Sequence, residues 1–384
     1  MTQGYFDKTC EGSIKMNMRR FIALIIAGVL LTLFAVSSRA QAEGSVALPE
    51  DRLATIATIK QLSDYADYNV YSMDVLYDYS IENILPIGKT DTQALLDMAF
   101  AEAAPGYDIK CTAPKFGCSA FMLPDSDGMV RFGRNYDFKI DTSCMIVRCH
   151  PRNGYASVAH AALRSLNFKD ALLNEKTKTA CLVSPFICLD GINEKGVGIA
   201  VLTVDSAPVA HNTGKPVLST TLLIRLVLDR AASTQEAVEL LRNYDMYAAG
   251  GRDCHFFITD STGDSRAVEF DPDSETRQMT VTPVRTITNF YITHASKVQP
   301  NQNNGVYGHG KERWVAIESV ITENGGTGDN AVAWQALKSA VQEPNPEDIT
   351  SNTQWSIIYN LTDLSYELVF RRQWETVYSQ GITE

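Results

Sequence analysis

The chain has 384 residues, 45% of them hydrophobic and 21% charged, so it can bury a large core and its bulk is not of a disordered type. Its formal net charge is −11 and its pI about 5.1. No block of Lys or Arg offsets that charge, which sets aside a nucleic-acid partner, since such partners need a basic footprint. The first element in chain order is apolar. Arg19 and Arg20 precede the run Phe21 to Val36, and Ala40-Gln41-Ala42 follows as a small-residue cleavage pattern. This is the plan of a secretory signal peptide over residues 1–42, and the run is short for a membrane span. An uncleaved anchor is the alternative. Either way the body leaves the cytoplasm, to a secreted or periplasmic location, and touches a membrane only through this segment.

Residues 43–110 read as helical, with apolar residues at helical spacing in LATIATIKQLSDYADYNVYSMDVLYDYSI and TDTQALLDMAFAEAA. Thr90 or Asp91 can cap the second helix, and Pro105-Gly106 stops it. The looser stretch YDIKCTAPKFG leads to Gly117. Residues 43–110 therefore read as helical, and the stretch to Gly117 resembles a linker leading to a processing point.

From Cys118 the pattern changes to strands. CSAFML and MVRFGRNYDF flank the turn PDSDG, and CLVSPFICLDG and VGIAVLTVDS flank INEKG, where Gly196 suits positive φ. LSTTLLIRLVLDRAA reads as a buried helix, and STQEAVELLRNY opens with a capping box from Ser233 to Glu236. CHFFITD and SRAVEF form a third hairpin. VRTITNFYIT, over 284–293, reads as a strand, 311–322 and 330–342 as helices, and QWSIIYN and LSYELVF as closing strands. Paired strands alternating with paired helices predict an α+β fold of antiparallel sheets with helices packed outside.

The first hairpin carries unusual groups. With a turn centred on Ser126, Cys118 faces Arg134, Ala120 faces Phe132 and Met122 faces Val130. The resulting face is apolar except at its open end, where a thiol meets a guanidinium that favours the reactive thiolate. The bland reading is a buried small hydrophobe beside a solvated Arg. Of the eight cysteines, Cys144, Cys149, Cys181, Cys188 and Cys254 read as core thiols or disulfides. Cys10 and Cys111 complete the set, and no Cys/His spacing suits a metal or implies a cofactor.

The stretch GCSAFMLPDSDGMVRFGRNYDF resembles the start of the choloylglycine hydrolase family, linear amide C–N hydrolases of the N-terminal nucleophile (Ntn) class. Gly133-Arg134-Asn135-Tyr136-Asp137 sits at the family spacing from Cys118, and DGINEKGVGIAVL, residues 190–202, resembles its second motif. ITNFY, 287–291, and KERW, 311–314, resemble shorter later segments in the family order. The resemblance covers residues 118–384 and implies a four-layer αββα catalytic domain there. It implies self-cleavage between Gly117 and Cys118, which removes residues 43–117 as a helical pro-segment and frees the Cys118 α-amine as general base beside its own thiol. Arg134 then holds the thiolate and the substrate end of the site. Asp137 orients the amine, Asn289 donates to the oxyanion, and Arg313 closes the polar network. Thr203 stands where bile salt hydrolases have Asn and penicillin V acylases usually Tyr; its backbone N–H would be the other oxyanion donor.

Each assignment has a structural counterpart: Asp137 as a partner of Arg134, Asn289 as a strand-end turn residue, Arg313 as a solvated helix residue beside Glu312. His309, between two glycines, reads as an exposed loop residue. Tyr136, Phe138, Phe290 and Tyr291 suit an apolar acyl pocket or the core. The expected activity is hydrolysis of a non-peptide linear amide such as a bile salt, penicillin V, an N-acyl amino acid or a lipid amide. The Thr203 departure leaves the substrate open. An acyltransferase on the same thioester and a secreted binding protein that never matures are the alternatives. The expected partner is a small-molecule amide, with a homo-oligomer possible.

Overall fold

A computed structural model describes residues 47–81, 92–112, 116–168, 172–248, 251–303, 305–347 and 351–382. The expected signal segment, Cys10 and the Thr90 or Asp91 cap lie outside the described residues. The chain divides after Ala47, and Leu48–Glu384 is the unit described below. In chain order its strands are β1 (Lys60–Gln61), β2 (Val70–Val75), β3 (Gly117–Pro124), β4 (Val130–Asp137), β5 (Cys144–Cys149), β6 (Ser157–Ala162), β7 (Cys188–Asn193) and β8 (Gly198–Val204). They continue as β9 (Val217–Ser219), β10 (Asp245–Tyr247), β11 (Asp253–Thr259), β12 (Ser265–Phe270), β13 (Met279–Pro283) and β14 (Thr286–Ile287). The last three are β15 (Thr353–Asn360), β16 (Ser365–Phe370) and β17 (Val377–Gly381).

Two sheets carry the fold. A nine-stranded sheet runs β1-β2-β5-β6-β7-β8-β11-β12-β13 and a six-stranded sheet runs β14-β3-β4-β15-β16-β17. Strand β3 shows why the layers stack. Its alternate residues Cys118 and Ala120 join the core between the sheets. Phe121 and Leu123 point the other way, into a second core with Ile317, Ile321 and Leu337 of the helices Lys311–Glu323 and Asn330–Ser339. The helix Thr220–Arg230, with nine of its residues buried, covers the outer face of the larger sheet. This is the four-layer αββα sandwich.

Local expectations hold where chemistry fixes them. Gly196 has φ 73° in its turn. The Ser233 side chain accepts the Glu236 N–H, while the Glu236 carboxylate takes Ala232 N–H, one residue before the capping-box position. Three expectations are corrected. Residues 181–186 form a 3₁₀ helix, Cys181–Phe186, because Pro185 has no N–H for a central ladder. The expected strand over 284–293 stops at Ile287. Five residues further on, the Glu269 carboxylate takes the N–H groups of Ile292 and Thr293 at the start of the 3₁₀ helix Ile292–Lys297.

The third correction concerns the stretch 43–110, expected to be helical. It is helical over Glu50–Ala57 and Thr92–Ala103, but Val70–Val75 is a strand inside the larger sheet, parallel to β5. Its β-branched and aromatic residues suit a strand covered on both faces. Val70, Tyr71, Met73, Val75, Tyr77, Tyr79 and Ile81 are all buried. Tyr77 hydroxyl donates to Leu182 O at 2.6 Å, and Tyr79 hydroxyl to Asp229 at 3.2 Å.

Candidate active site

Cys118 is the second residue of β3 and pairs with Tyr136, while Arg134 pairs with Ala120. The expected register is therefore two residues off. The turn centres on Asp127, where the Asp125 carboxylate takes the N–H groups of Asp127 and Met129. A slip of two leaves every side chain on its original face, because the strand period is two. Thiol and guanidinium still point together into the gap between the sheets, now as diagonal neighbours. Gly133 belongs to the opposite face for a steric reason: a Cβ there would lie 2.3 Å from the Phe121 ring.

The gap is lined by β8. Val201 O lies 3.7 Å from the Cys118 thiol and accepts the Arg134 Nη2 at 3.0 Å. Two residues on, Thr203 O accepts the Asn289 side-chain amide at 2.8 Å, and the Thr203 hydroxyl donates to Phe116 O. Asn289 Oδ1 accepts both the Cys118 N–H at 2.8 Å and the Arg313 guanidinium at 2.7 Å. Arg313 also donates to Cys118 O at 2.6 Å and lies 3.3 Å from Asp137. Asp137 further accepts from Gln342 and Thr353 at 3.0 and 2.6 Å.

The fold thus gathers Cys118, Arg134, Asp137, Thr203, Asn289 and Arg313 around the Gly117–Cys118 bond. One detail differs from expectation: the Cys118 nitrogen, an amide with one hydrogen in the uncut chain, donates to Asn289 and not to Asp137. Arg313 is buried within the polar network, and the alternative of a solvated helix residue falls away.

Burial pushes the Cys118 thiol up to about 12, against the pull of the Arg134 charge. Arg134 itself is held above its ordinary value: burial opposes its charge, and Cys118 and Asp190 outweigh that. Beneath it lies a network the sequence reading did not assign. Arg134 Nε is 3.3 Å from Asp190 Oδ2, and Asp190 Oδ1 accepts the Tyr359 hydroxyl at 2.6 Å and sits 3.1 Å from His160 Nδ1. Burial alone would raise the Asp190 carboxyl, but the His160 hydrogen bond and the nearby positive charges hold it below the usual range. Asp190 opens the DGINEKG motif, so a role for it was available in the sequence. His160 and Tyr359 carried no signal.

Asn289 is braced from behind. His255 lies between the Glu269 carboxylate at 3.0 Å and the Thr288 carbonyl at 2.8 Å. His309 is corrected from exposed to buried: its N–H donates to Asn289 O at 2.9 Å and its ring meets Asp205 at 2.6 Å. The aromatic residues divide. Tyr136 stacks on Trp355 at 4.2 Å and faces Phe116 at 5.5 Å. Phe290 lines a separate cavity with Thr286, Ile292 and Trp314, and the Tyr291 hydroxyl donates to Asp253. A mostly apolar cavity beside the site is lined by Leu96, Cys111 and Phe116 from the leading segment and by Ile187, Leu189 and Thr203 from the body.

Among the described residues no group of His, Cys, Asp and Glu is placed to hold a metal, no helix is long and apolar enough to cross a membrane, and the seven cysteines are free thiols.

A cysteine near the start of a central strand of a four-layer sandwich, between two buried arginines and an Asn amide, is an arrangement of the Ntn-hydrolase fold. Residues 118–289 match the linear amide C–N hydrolases, choloylglycine hydrolase family. Over those residues the chain is similar to a family whose members are hydrolases acting on linear amide C–N bonds. Solved structures of the same fold include a variant of the conjugated bile acid hydrolase from Clostridium perfringens, 17% identical, TM-score 0.51, covering 69% of this chain and 93% of that one. Penicillin V acylase from Agrobacterium tumefaciens is also 17% identical, TM-score 0.50, covering 70% of this chain and 87% of that one. Among curated proteins no relative matches the chain.

Proposed function

We propose that the protein is exported, cuts itself between Gly117 and Cys118, and then hydrolyses a small linear amide with an apolar acyl group. The observation that carries this reading is the convergence on Cys118: its N–H on Asn289, its carbonyl on Arg313 and its thiol beside the carbonyl that holds Arg134. In the mature enzyme the Cys118 α-amine takes the thiol proton as sulfur attacks the amide carbonyl. Asn289 and the Thr203 N–H stabilise the oxyanion. The amine returns the proton to the leaving nitrogen, and water hydrolyses the thioester. The apolar cavity shared by Phe116, Leu189 and Thr203 supports an apolar acyl group. Transfer to an added amine in place of water distinguishes an acyltransferase.

Full burial of Cys118 in the uncut chain favours a second reading, a binding protein that never matures. N-terminal sequencing and intact mass of the purified full-length product decide. A chain starting at Cys118, lost in Cys118→Ala, supports the enzyme; a whole Gly117–Cys118 bond in the wild type supports the binding protein.

A further inference from the structure

We propose that the Thr203 hydroxyl is a positioning group for self-cleavage, separate from the oxyanion role of its backbone N–H; the inference rests on the reading of Cys118 as a self-releasing nucleophile. Strand β3 runs through the scissile bond, with Gly117 still paired to Asp137. The segment on the acyl side therefore enters the site as a continuation of the strand. Its last carbonyl before Gly117, that of Phe116, accepts the Thr203 hydroxyl. Phe116 and Thr203 are both buried, so water does not readily replace this bond.

Val201 and Thr203 lie two residues apart on β8. The first holds the thiol and Arg134 through its carbonyl; the second holds the acyl strand through its hydroxyl. One strand of the larger sheet thus sets both partners of an intramolecular attack launched from the smaller sheet. Such pre-set geometry is a large source of rate when the reacting groups are bound at near-attack distance. Asn289 ties the two functions together, since its amide donates to Thr203 O while its Oδ1 accepts the Cys118 N–H.

The step balances within the chain and one water. Cys118 Sγ bonds to the Gly117 carbonyl carbon, the Gly117–Cys118 C–N bond breaks, and the thiol proton ends on the departing nitrogen. Water then adds its hydroxyl to Gly117 and returns a proton to sulfur. After that, Phe116 is no longer joined to Cys118, so its grip by Thr203 no longer places the carbonyl that sulfur attacks.

The test compares Thr203→Val and Thr203→Ser in the full chain. Scission at 117/118 is followed by intact mass, and turnover of an N-acyl 4-nitroanilide is measured per free N-terminal Cys. In Thr203→Val, scission slows at least tenfold more than turnover per mature site, because the Phe116 carbonyl is left buried without its donor. Thr203→Ser, which keeps the hydroxyl, matures within about threefold of wild type, well inside the worth of one hydrogen bond. Should Thr203→Val misfold, judged by its melting transition, Thr203→Ala against Thr203→Ser makes the same comparison. Equal losses of scission and turnover, or wild-type scission without the hydroxyl, overturn the proposal and leave the enzyme reading standing. A wild-type chain that stays whole overturns both.

Discussion

Cys118 and Arg134 share one face of the β3–β4 ladder without being cross-strand partners: Arg134 stands opposite Ala120, one diagonal step from the thiol. That offset gives the guanidinium room to turn toward β7 and β8, where it meets Asp190 and Val201 O. The arginine is thus anchored in the opposite sheet.

This anchoring makes Asp190 a structural keystone. Asp190→Asn leaves Arg134 a buried, uncompensated charge and is expected to cost about 3–5 kcal/mol in denaturant unfolding of the full chain. Tyr359→Phe, which removes one donor to that carboxylate, costs about 1–3 kcal/mol. The folded-state pKa of Asp190 is lowered, so its contribution is present above the unfolded carboxylate value and is lost as pH falls through the depressed folded one. The wild type should therefore lose stability below about pH 4, near the unfolded aspartate value. Asp190→Asn should lack that component; equal acid slopes in the two proteins refute the assignment.

Maturation and turnover should differ in pH dependence. In the uncut chain the thiol lies at about 12 and no α-amine stands beside it. The thiolate fraction then rises about tenfold per pH unit between roughly 6 and 9, and so should the scission rate. The mature enzyme carries the α-amine as its base, so turnover levels off above about pH 8. Parallel profiles for the two rates contradict this account.

The leading segment should stay bound after scission. Seven hydrophobic side chains of residues 70–81 are buried, and full burial of each contributes about 1.5–3 kcal/mol, on the order of 10 kcal/mol or more together. The two pieces should co-elute in gel filtration under native conditions and separate only in denaturant. A mature body that elutes alone and stays active shows that the sheet survives without β2, against this expectation.

Gly133→Ala should be destabilising although alanine is small. Its Cβ would enter the Phe121 ring, packed between β3 and the outer helices, and overpacking of this kind costs about 1–3 kcal/mol. Thermal unfolding checks it. Pairing it with Phe121→Leu should recover part of the loss, since the flexible leucine clears the space.

Several features were legible along the chain because they are local. The turn at Gly196, the cap at Ser233 and the alternation that puts Cys118 and Arg134 on one face follow from backbone preferences over a few residues. The resemblance carried by ITNFY and KERW put Asn289 and Arg313 in the expected set. What stayed hidden depends on residues far apart in sequence. VYSMDV in the leading segment has strand chemistry inside a helical-looking stretch, and only pairing with β5 decides between them. The second half of the expected strand at 284–293 becomes a 3₁₀ helix whose first N–H groups are taken by the Glu269 carboxylate of another hairpin.

The sequence alone determined which side chains share a strand face, because a period of two survives a two-residue error in register. It also determined the thiol at Cys118 and its motif neighbours. Only the tertiary structure decided what each of those groups touches: Asn289 on the Cys118 N–H, Asp190 behind Arg134, and the Thr203 hydroxyl on Phe116 O. The physical reason is that these contacts cross between two sheets, where packing of distant strands sets the distances and no local preference encodes them.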